Sequence, residues 1–409
     1  MNIPNPVSVP PRKTPHWLLV LILATMSTMG PFAIDTYLPS FHAIEQDLNA
    51  TSFELQQTLS FFLGASAFMG LFHGALSDSF GRRKVVLTGL VVFAIASVGC
   101  ALATSIGMLL FFRAMQGLSS GVGMIVGRAI IRDTLHGPEA QRMMSMVTMI
   151  FGFAPAVAPI IGGYLHTAFG WHSVFWFITV FSLLVWMLSA LYLPESLPVK
   201  NRQPFHAAPL LKNYYKVLKN RKFLLLSLVS ACNFSAFFLY IVSAPAFVLK
   251  LLKLSETQFA WLFIPTISGM MVGAFFSGRI AGKLSFIKTV NLGFMIMAVA
   301  VLINVSYNYF IAQMRVPWAV LPLFLFNIGL QFTLPIVSIL VMDIFPANRG
   351  LASSLQASVS VLMMGIVAGT LSALVSHSGL WMALSSAALM STGFVCWWIH
   401  LRMTNEAKA

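Results

Sequence analysis

Charged side chains are scarce in this sequence. They make up 9% of its 409 residues, whereas a typical soluble domain carries about 25%. Acidic residues are rarer than basic ones, with 11 Asp and Glu against 25 Lys and Arg. Hydrophobic residues make up 58% of the chain, and the mean hydropathy is +0.84. This composition excludes an ordinary soluble protein and predicts a polytopic membrane protein.

Cysteine is also rare. Cys100, Cys232 and Cys396 are the three cysteines, and all lie within apolar runs. Neither a disulfide framework nor a metal site is predicted from them. The net charge of +14 would suggest a nucleic-acid partner in a soluble domain. In so apolar a chain, the orientation of the loops in a membrane explains the charge better, and no nucleic-acid partner is expected.

Long apolar runs fill the rest of the sequence. A helix needs about 20 apolar residues to cross a bilayer, and about twelve such runs are present, at 17–40, 55–76, 85–103, 108–131, 143–166, 172–193, 223–248, 258–278, 289–311, 317–342, 351–375 and 381–401. The longest polar break predicts two halves. The expected parts are a tail (1–16), a six-helix bundle (17–193), a connector (194–222), a second six-helix bundle (223–402) and a tail (403–409). The fold class is therefore all-α, with twelve transmembrane helices in two pseudo-symmetric bundles.

Basic residues predict the orientation. Lys and Arg cluster in the tails, in the connector and in the loops on the same side of the membrane, while the other side holds only Lys250, Lys253 and Arg315. Because cytoplasmic loops are enriched in Lys and Arg, both termini are expected in the cytoplasm.

A carboxylate interrupts the first apolar run. Asp35 follows Ser27, Thr28 and Pro31 at helical spacing, so these four residues form one polar stripe. Pro39 marks the expected helix end. A charge at the centre of a membrane helix costs roughly 2.5–3.5 kcal/mol, so Asp35 must face water or the bundle interior. It is either a satisfied acid near the helix end or a group that takes up and releases a proton.

The loop after the second run combines glycines with charges, namely Gly74, Asp78, Gly81, Arg82 and Arg83. The basic residues alone are typical of anchors at the inner surface. The whole set also fits a charge cluster at the seam between the halves, which would hold one conformation and break in the other.

Further polar and small residues lie inside the spans. Arg113 stands near the start of the fourth run, on one helical face with Gln116 and Ser120. It either snorkels to the outer surface or lines a hydrated cavity. The fifth run carries small residues and prolines that allow close packing and bending, at Gly152, Pro155, Ala156, Pro159, Gly162 and Gly163.

In the second half, uncharged amides and aromatics share helix faces, at Asn233, Phe237 and Tyr240 and at Asn327 and Gln331. Such stripes are often core or lipid-facing, but amides inside spans also suit an adaptable apolar cavity. The predicted substrate cavity comprises Ser27, Thr28, Pro31, Tyr37, Gln116, Ser120, Asn233, Phe237, Tyr240, Asn327 and Gln331.

Three of these patterns resemble motifs of the major facilitator superfamily. The loop 74–84 is similar to its loop motif, Arg113-x-x-Gln116-Gly117 to its second motif, and 152–163 to the antiporter motif of its twelve-span drug:proton antiporters. Asp35-Thr-Tyr37-Leu38-Pro39, Arg132-Asp133 and Ala231-Cys-Asn233-Phe234 resemble the Bcr/CflA-type multidrug exporters.

The resemblance implies the superfamily fold and a monomer in a bacterial inner membrane, with no cofactor beyond the coupling proton. It implies efflux of drug-like or antibiotic small molecules by proton antiport, with Asp35 and Arg113 in proton coupling and no enzymatic activity. Three alternatives remain: a proton-coupled exporter of one cellular metabolite, a channel, and an intramembrane enzyme. An enzyme would need a nucleophile–base pair or clustered ligands within the spans, and the sequence shows neither. A channel would need a selectivity filter or a charged ring, and the sequence has no such repeat.

Overall fold

The structure is a computed structural model that describes residues 15–311 and 313–406. In this part of the chain, twelve helical segments are long and apolar enough to cross a membrane, and no strand occurs. The predicted fold class is confirmed. The expected tails lie largely outside the described residues, at 1–14 and 407–409.

The first bundle contains six spans and one short helix. Its helices are α1 (His16–Asp35), α2 (Phe41–Asp47), α3 (Ser52–Phe80), α4 (Arg82–Ala101), α5 (Ile106–Ser120), α6 (Val122–Thr134), α7 (Gly137–Phe169) and α8 (His172–Tyr192). Helices α5 and α6 together form the fourth span, which breaks at Gly121. The predicted fourth span is confirmed at Ile106–Thr134, with a one-residue turn at Gly121, whose φ of −74° and ψ of −14° stay near helical values.

The second bundle follows a helical connector. Helix α9 (Ala207–Leu218) lies in the connector, and the remaining helices are α10 (Arg221–Val242), α11 (Ala260–Ile280), α12 (Phe286–Phe310), α13 (Leu321–Ile344), α14 (Arg349–Ile366), α15 (Ser372–Val375) and α16 (Gly379–Glu406). A π-helical turn, Val367–Leu371, joins α14 to α15 in the eleventh span. Helix α16 extends past residue 402, where the second bundle was expected to end.

The first span ends earlier than predicted. Helix α1 stops at Asp35, four residues before Pro39, and the chain continues in a 3-10 turn, Leu38–Ser40. Proline restricts the residue before it as well as its own position, so the chain leaves the helix ahead of the proline. Asp35 therefore occupies the last turn of the helix.

Two pairs of spans join the bundles: α3 packs against α14 and α15 of the eleventh span, and α7 packs against α11. Because the number of spans is even, His16 and Thr404 lie on one side of the molecule, which we call the termini face. The other side is the opposite face. Local signals fix the helix ends; for example, Thr51 and Glu54 form a capping box that starts α3 on the opposite face.

Candidate functional site

Asp35 is a buried acid without a partner. Only 3% of its surface is exposed, and no described residue forms a hydrogen bond or ion pair with its carboxylate. Ser27 and Thr28 on the same stripe donate to carbonyls of their own helix, at 2.8 and 2.9 Å. These hydroxyls are satisfied locally, so the carboxylate is left as the free acceptor at the opposite-face end of α1.

Helix α7 covers this end of α1. A side-chain carbon at Gly162 would overlap the backbone carbonyl of Thr36, next to Asp35, and one at Gly163 would overlap the carbonyl of Glu256. Gly152 has open space around it. Of the other motif residues, Pro159 is buried and Pro155 and Ala156 are half-buried. The expected close packing is therefore present at the Gly162–Gly163 end of the motif and absent at Gly152.

Arg113 is a buried cation that bonds to the end of α1, next to Asp35. Its side chain is fully buried, and Nη1 donates to the carbonyl of Ala33 and to Oε1 of Gln116, both at 2.8 Å. The guanidinium carbon lies 4.4 Å from the ring centroid of Tyr37 and 4.6 Å from that of Phe62. Two aromatic faces thus take the place of a counter-ion.

The guanidinium remains only partly satisfied. Nε and Nη2 of Arg113 have no hydrogen-bond partner in the described part of the chain, and no carboxylate oxygen lies within salt-bridge distance there. Arg113 does not snorkel to the surface, because it bonds to the carbonyl two residues before Asp35. The two groups assigned to proton coupling therefore share one helix end without forming an ion pair.

Separate hydrogen bonds between helices fix this arrangement inside the first bundle. Gln116 Nε2 donates to Ser97 Oγ at 2.8 Å, and the hydroxyls of Tyr37 and Thr58 are 2.7 Å apart. Ser120 donates to Ser66 at 3.0 Å. Gln116 and Ser120 were expected to line a hydrated cavity. The structure instead turns them toward α4 and α3, where they are buried.

The amide and aromatic face of α10 also points into its own bundle. Tyr240 accepts a hydrogen bond from Asn304 of α12 at 2.7 Å. Asn233 is fully buried beside Gly393 of α16, and Phe237 packs edge-on against Phe234 with centroids 5.7 Å apart. Asn233 and Tyr240 therefore do not line the space between the bundles in this conformation, contrary to the prediction. The sequence pattern shows that a face is polar but not which neighbour it meets.

Helix α13 presents two more predicted cavity residues. Asn327 is fully buried, with Nδ2 donating to the carbonyl of Leu323 at 2.8 Å. Gln331, one turn further, is half-buried and its Cβ lies near Gly273 of α11. With Pro31 of α1, which is also half-buried, Gln331 is one of the two predicted cavity residues that keep accessible surface.

The loop motif forms a charge cluster around Arg82. Its guanidinium contacts Asp78 at 2.5 Å and Asp133 at 3.0 Å, while Arg83 donates to the carbonyl of Ala190 at 2.6 Å. Gly81 has a φ of +98°, which favours glycine, whereas Gly74 has open space around it.

The connector completes this cluster. Glu195 Oε1 accepts from the backbone N–H of Arg82 at 3.0 Å, at the N-terminus of α4, where a carboxylate is favoured. Glu195 also pairs with Arg202 at 3.5 Å. Every partner belongs to the first bundle or the connector, so the cluster does not join the two bundles in this conformation, and its predicted role in holding one state stays a prediction. Sequence reasoning missed Glu195, because nothing in its local pattern indicates that the connector folds back onto α4.

The contacts between bundles concentrate at the opposite face. Gln57 Nε2 of α3 donates to the carbonyl of Gly369 at 2.6 Å, and Ser60 donates to that of Gly365 at 2.8 Å. Both acceptors lie in or beside the π-helical turn, where backbone carbonyls are freed from regular helical bonding. A third contact joins His166 of α7 to Glu256, with 3.3 Å between Nε2 and Oε2.

The termini face carries a pocket on the first bundle. A cavity of about 430 Å³ lies beside the first turns of α7, lined by Pro138, Gln141, Arg142, Ser145 and Met146. The structure thus represents a state that is sealed at the opposite face, by contacts that sequence reasoning did not identify.

Comparison with known proteins gives concordant results. The sequence profile of the Major Facilitator Superfamily matches residues 17–368. The chain is 31% identical over 358 residues to the uncharacterised MFS-type transporter YdgK of Bacillus subtilis, covering 85% of this chain and 87% of the relative. It is 30% identical over 267 residues to a bicyclomycin resistance protein homologue of Haemophilus influenzae, covering 65% and 67%. It is 26% identical over 392 residues to multidrug resistance protein D of Escherichia coli, covering 95% and 98%.

Solved structures share the fold. A D-xylose–proton symporter superposes with a TM-score of 0.72 at 15% identity, over 93% of this chain and 97% of that one. A bacterial homologue of the human lysosomal transporter Spinster, in an inward-facing and unoccupied conformation, gives a TM-score of 0.71 at 16% identity, over 95% and 97%. At these identities the likeness concerns the fold alone.

Proposed function

Because this chain belongs to the major facilitator superfamily, we propose that it is a proton-coupled exporter of drug-like small molecules. The members of this superfamily are membrane transporters, so this chain is a transporter and not an enzyme. The names of two relatives, a bicyclomycin resistance protein homologue and multidrug resistance protein D, support drug-like cargo and a role in antibiotic resistance. The bias of Lys and Arg toward the termini face supports a cytoplasmic location for both termini in an inner membrane.

One observation carries the proton coupling: Asp35 is buried, lacks a partner in the described chain, and lies two residues from the carbonyl that binds Arg113. In the proposed cycle Asp35 takes up a proton from the outer side and releases it toward the inner side. Arg113 changes partner between these two states, since its free Nε and Nη2 can donate hydrogen bonds to an ionised carboxylate. Each state then has its own set of contacts, as alternating access requires.

The conformation suits the loading step of an exporter. The bundles are joined at the opposite face through Gln57, Ser60 and His166. If the termini face is cytoplasmic, substrate enters from the cytoplasm between the bundles. Pro31 and Gln331, which are half-buried, are the first of the predicted cavity residues that it would meet.

The energetics are sufficient for uphill export. One elementary charge moving through 100 mV releases about 2.3 kcal/mol. At about 1.4 kcal/mol per factor of ten, this supports roughly a fiftyfold gradient of an uncharged substrate exchanged for one proton. One acidic group such as Asp35 is enough for this stoichiometry.

Proteoliposomes with an imposed pH gradient test the proposal. The purified chain is reconstituted and challenged with a panel of antibiotics, dyes and cellular metabolites, and both substrate and proton fluxes are followed. Export of several unrelated drugs with opposite proton flux is the expected result. Transport of a single metabolite would favour the narrower exporter, and substrate movement without proton flux would contradict the coupling.

A further inference from the structure

Helix α9 of the connector has three distinct sides. One side packs on the protein core, through Tyr214 and Val217, which are 6% and 4% exposed. The next side around the helix carries Leu211 and Tyr215, which are 51% and 59% exposed. The third side carries exposed lysines at helical spacing, Lys212, Lys216 and Lys219.

The position of α9 brings these sides to a membrane surface. Tyr214 donates to the carbonyl of Leu71 in α3 at 2.8 Å, and burial raises the pKa of this tyrosine, which keeps its hydroxyl protonated as a donor. Leu71 lies nine residues before Phe80, the end of α3, or about 13 Å along the helix axis. Helix α9 ends at Leu218, just before α10 begins at Arg221, so it lies at the termini-face end of the seventh span, the level at which a span meets the lipid headgroups.

Apart from Glu195, every charged residue of the connector is basic. Between Glu195 and Glu256 the sequence contains no acidic residue, and Glu195 is already engaged by Arg202. The basic residues of the connector are Lys200, Arg202, Lys212, Lys216, Lys219, Arg221 and Lys222. Such a surface is complementary to phosphate groups and repels other cationic partners.

The apolar side selects the type of anion. Leu211 and Tyr215 are adjacent to the lysines, and Lys219 Nζ lies 4.6 Å from the ring centroid of Tyr215. A soluble polyanion would contact the lysines and leave Leu211 in water. A phospholipid satisfies both sides, because its headgroup meets the lysines while its acyl chains cover the apolar residues.

We propose that α9 binds anionic phospholipid headgroups of the leaflet at the termini face. The helix also contacts α10 and α14 of the second bundle in addition to Leu71 of the first. Lipid bound to α9 therefore holds a helix that touches both bundles on the side that must open and close. Transport is expected to depend on the anionic lipid content for this reason.

Lipid retention on the purified full chain tests the proposal without requiring transport. The variant Lys212→Gln/Lys216→Gln/Lys219→Gln keeps Tyr214 and is compared with Arg279→Gln/Lys283→Gln/Lys288→Gln, which removes the same charge from exposed positions on the same face. Native mass spectrometry measures the preference for phosphatidylglycerol over phosphatidylcholine. At about fivefold per lysine, the α9 variant should lose on the order of a hundredfold of this preference.

The remaining variants and competitors distinguish lipid binding from the binding of other anions. The 279/283/288 variant should retain the wild-type preference, and Leu211→Ser/Tyr215→Ser should lower it. Sodium phosphate or soluble glycerophosphoglycerol should not displace the lipid. Equal loss in both charge variants, an unchanged preference in the α9 variant, or full displacement by a soluble anion would each overturn the proposal. Failure of drug transport would leave these binding results unaffected.

Discussion

His166 of α7 and Glu256 of the loop before α11 pair across the two bundles, with 3.3 Å between Nε2 and Oε2. His166 is largely shielded, with 10% of its side chain exposed, and Glu256 retains 34%. The neighbouring Gly163 packs directly on the backbone of Glu256, so α7 and the loop before α11 approach closely at this point. Any state open at the opposite face must separate these groups.

We expect Glu256→Gln to shift the protein toward the state open at the opposite face, because the variant removes the charge that attracts His166. Spin labels on Ser52 and His377, one in each bundle at that face, report the separation as a distance distribution. Glu45→Gln is the matched control, since Glu45 pairs with His42 at 3.7 Å within the first bundle. A wider distribution in both variants, or in neither, would contradict a role for the pair in closure.

A second prediction concerns the contact between α1 and α7. Gly162→Ala places a methyl group against the Thr36 carbonyl, so the helices must separate or tilt next to Asp35. We expect a lower unfolding temperature and slower proton-coupled transport. Gly152→Ala, in open space, should instead be neutral or stabilising by up to about 1 kcal/mol, because alanine favours a helix over glycine. Equal effects of the two variants in thermal unfolding would show that packing on Thr36 is unimportant.

A third prediction concerns the cluster around Arg82. Asp133→Asn removes a charged acceptor from a guanidinium that is only 9% exposed, and hydrogen bonds to charged groups contribute about 1.5–3 kcal/mol. We expect the free energy of unfolding to fall by about 2 kcal/mol. Asp343→Asn is the control, because its 3.5 Å pair with Arg349 is exposed on both sides and should contribute less than about 1 kcal/mol. Chemical denaturation of both variants in the same detergent provides the comparison.

The spans could be predicted from the sequence because burial in lipid demands about 20 apolar residues whatever the neighbours are. The break at Gly121 could not, since a glycine within an apolar run is equally compatible with a continuous helix. The polar face of α10 was recognised, but the neighbours that it meets in this conformation could not be predicted. A helix in the middle of a bundle meets protein on several sides, and Asn233 satisfies the same pattern whether it faces α16 or the cavity.

The contacts at the opposite face could not be predicted from the sequence, for a different reason. Gln57 and Ser60 bond to backbone carbonyls of Gly369 and Gly365, and a carbonyl carries no residue signature. These acceptors depend on the π-helical turn Val367–Leu371, which no local sequence pattern predicts. In contrast, Asp35 could be singled out because a carboxylate in an apolar run is costly wherever it points.

The last prediction tests the coupling mechanism at Asp35. Asp35→Asn keeps the size and shape of the side chain but cannot take up a proton, so uphill export driven by a pH gradient should be abolished. Binding of uncharged substrates should persist, because the half-buried residues Pro31 and Gln331 are unchanged. Proton release on substrate binding, measured in weakly buffered detergent solution with a pH indicator, should be lost. Asp47→Asn is the control: this acid lies in α2 on the same face and accepts a hydrogen bond from Trp171 at 2.9 Å, so the variant should release protons normally. If Asp35→Asn releases protons as the wild type does, coupling resides in another carboxylate, and Asp133 and Asp78 are the next acids to replace.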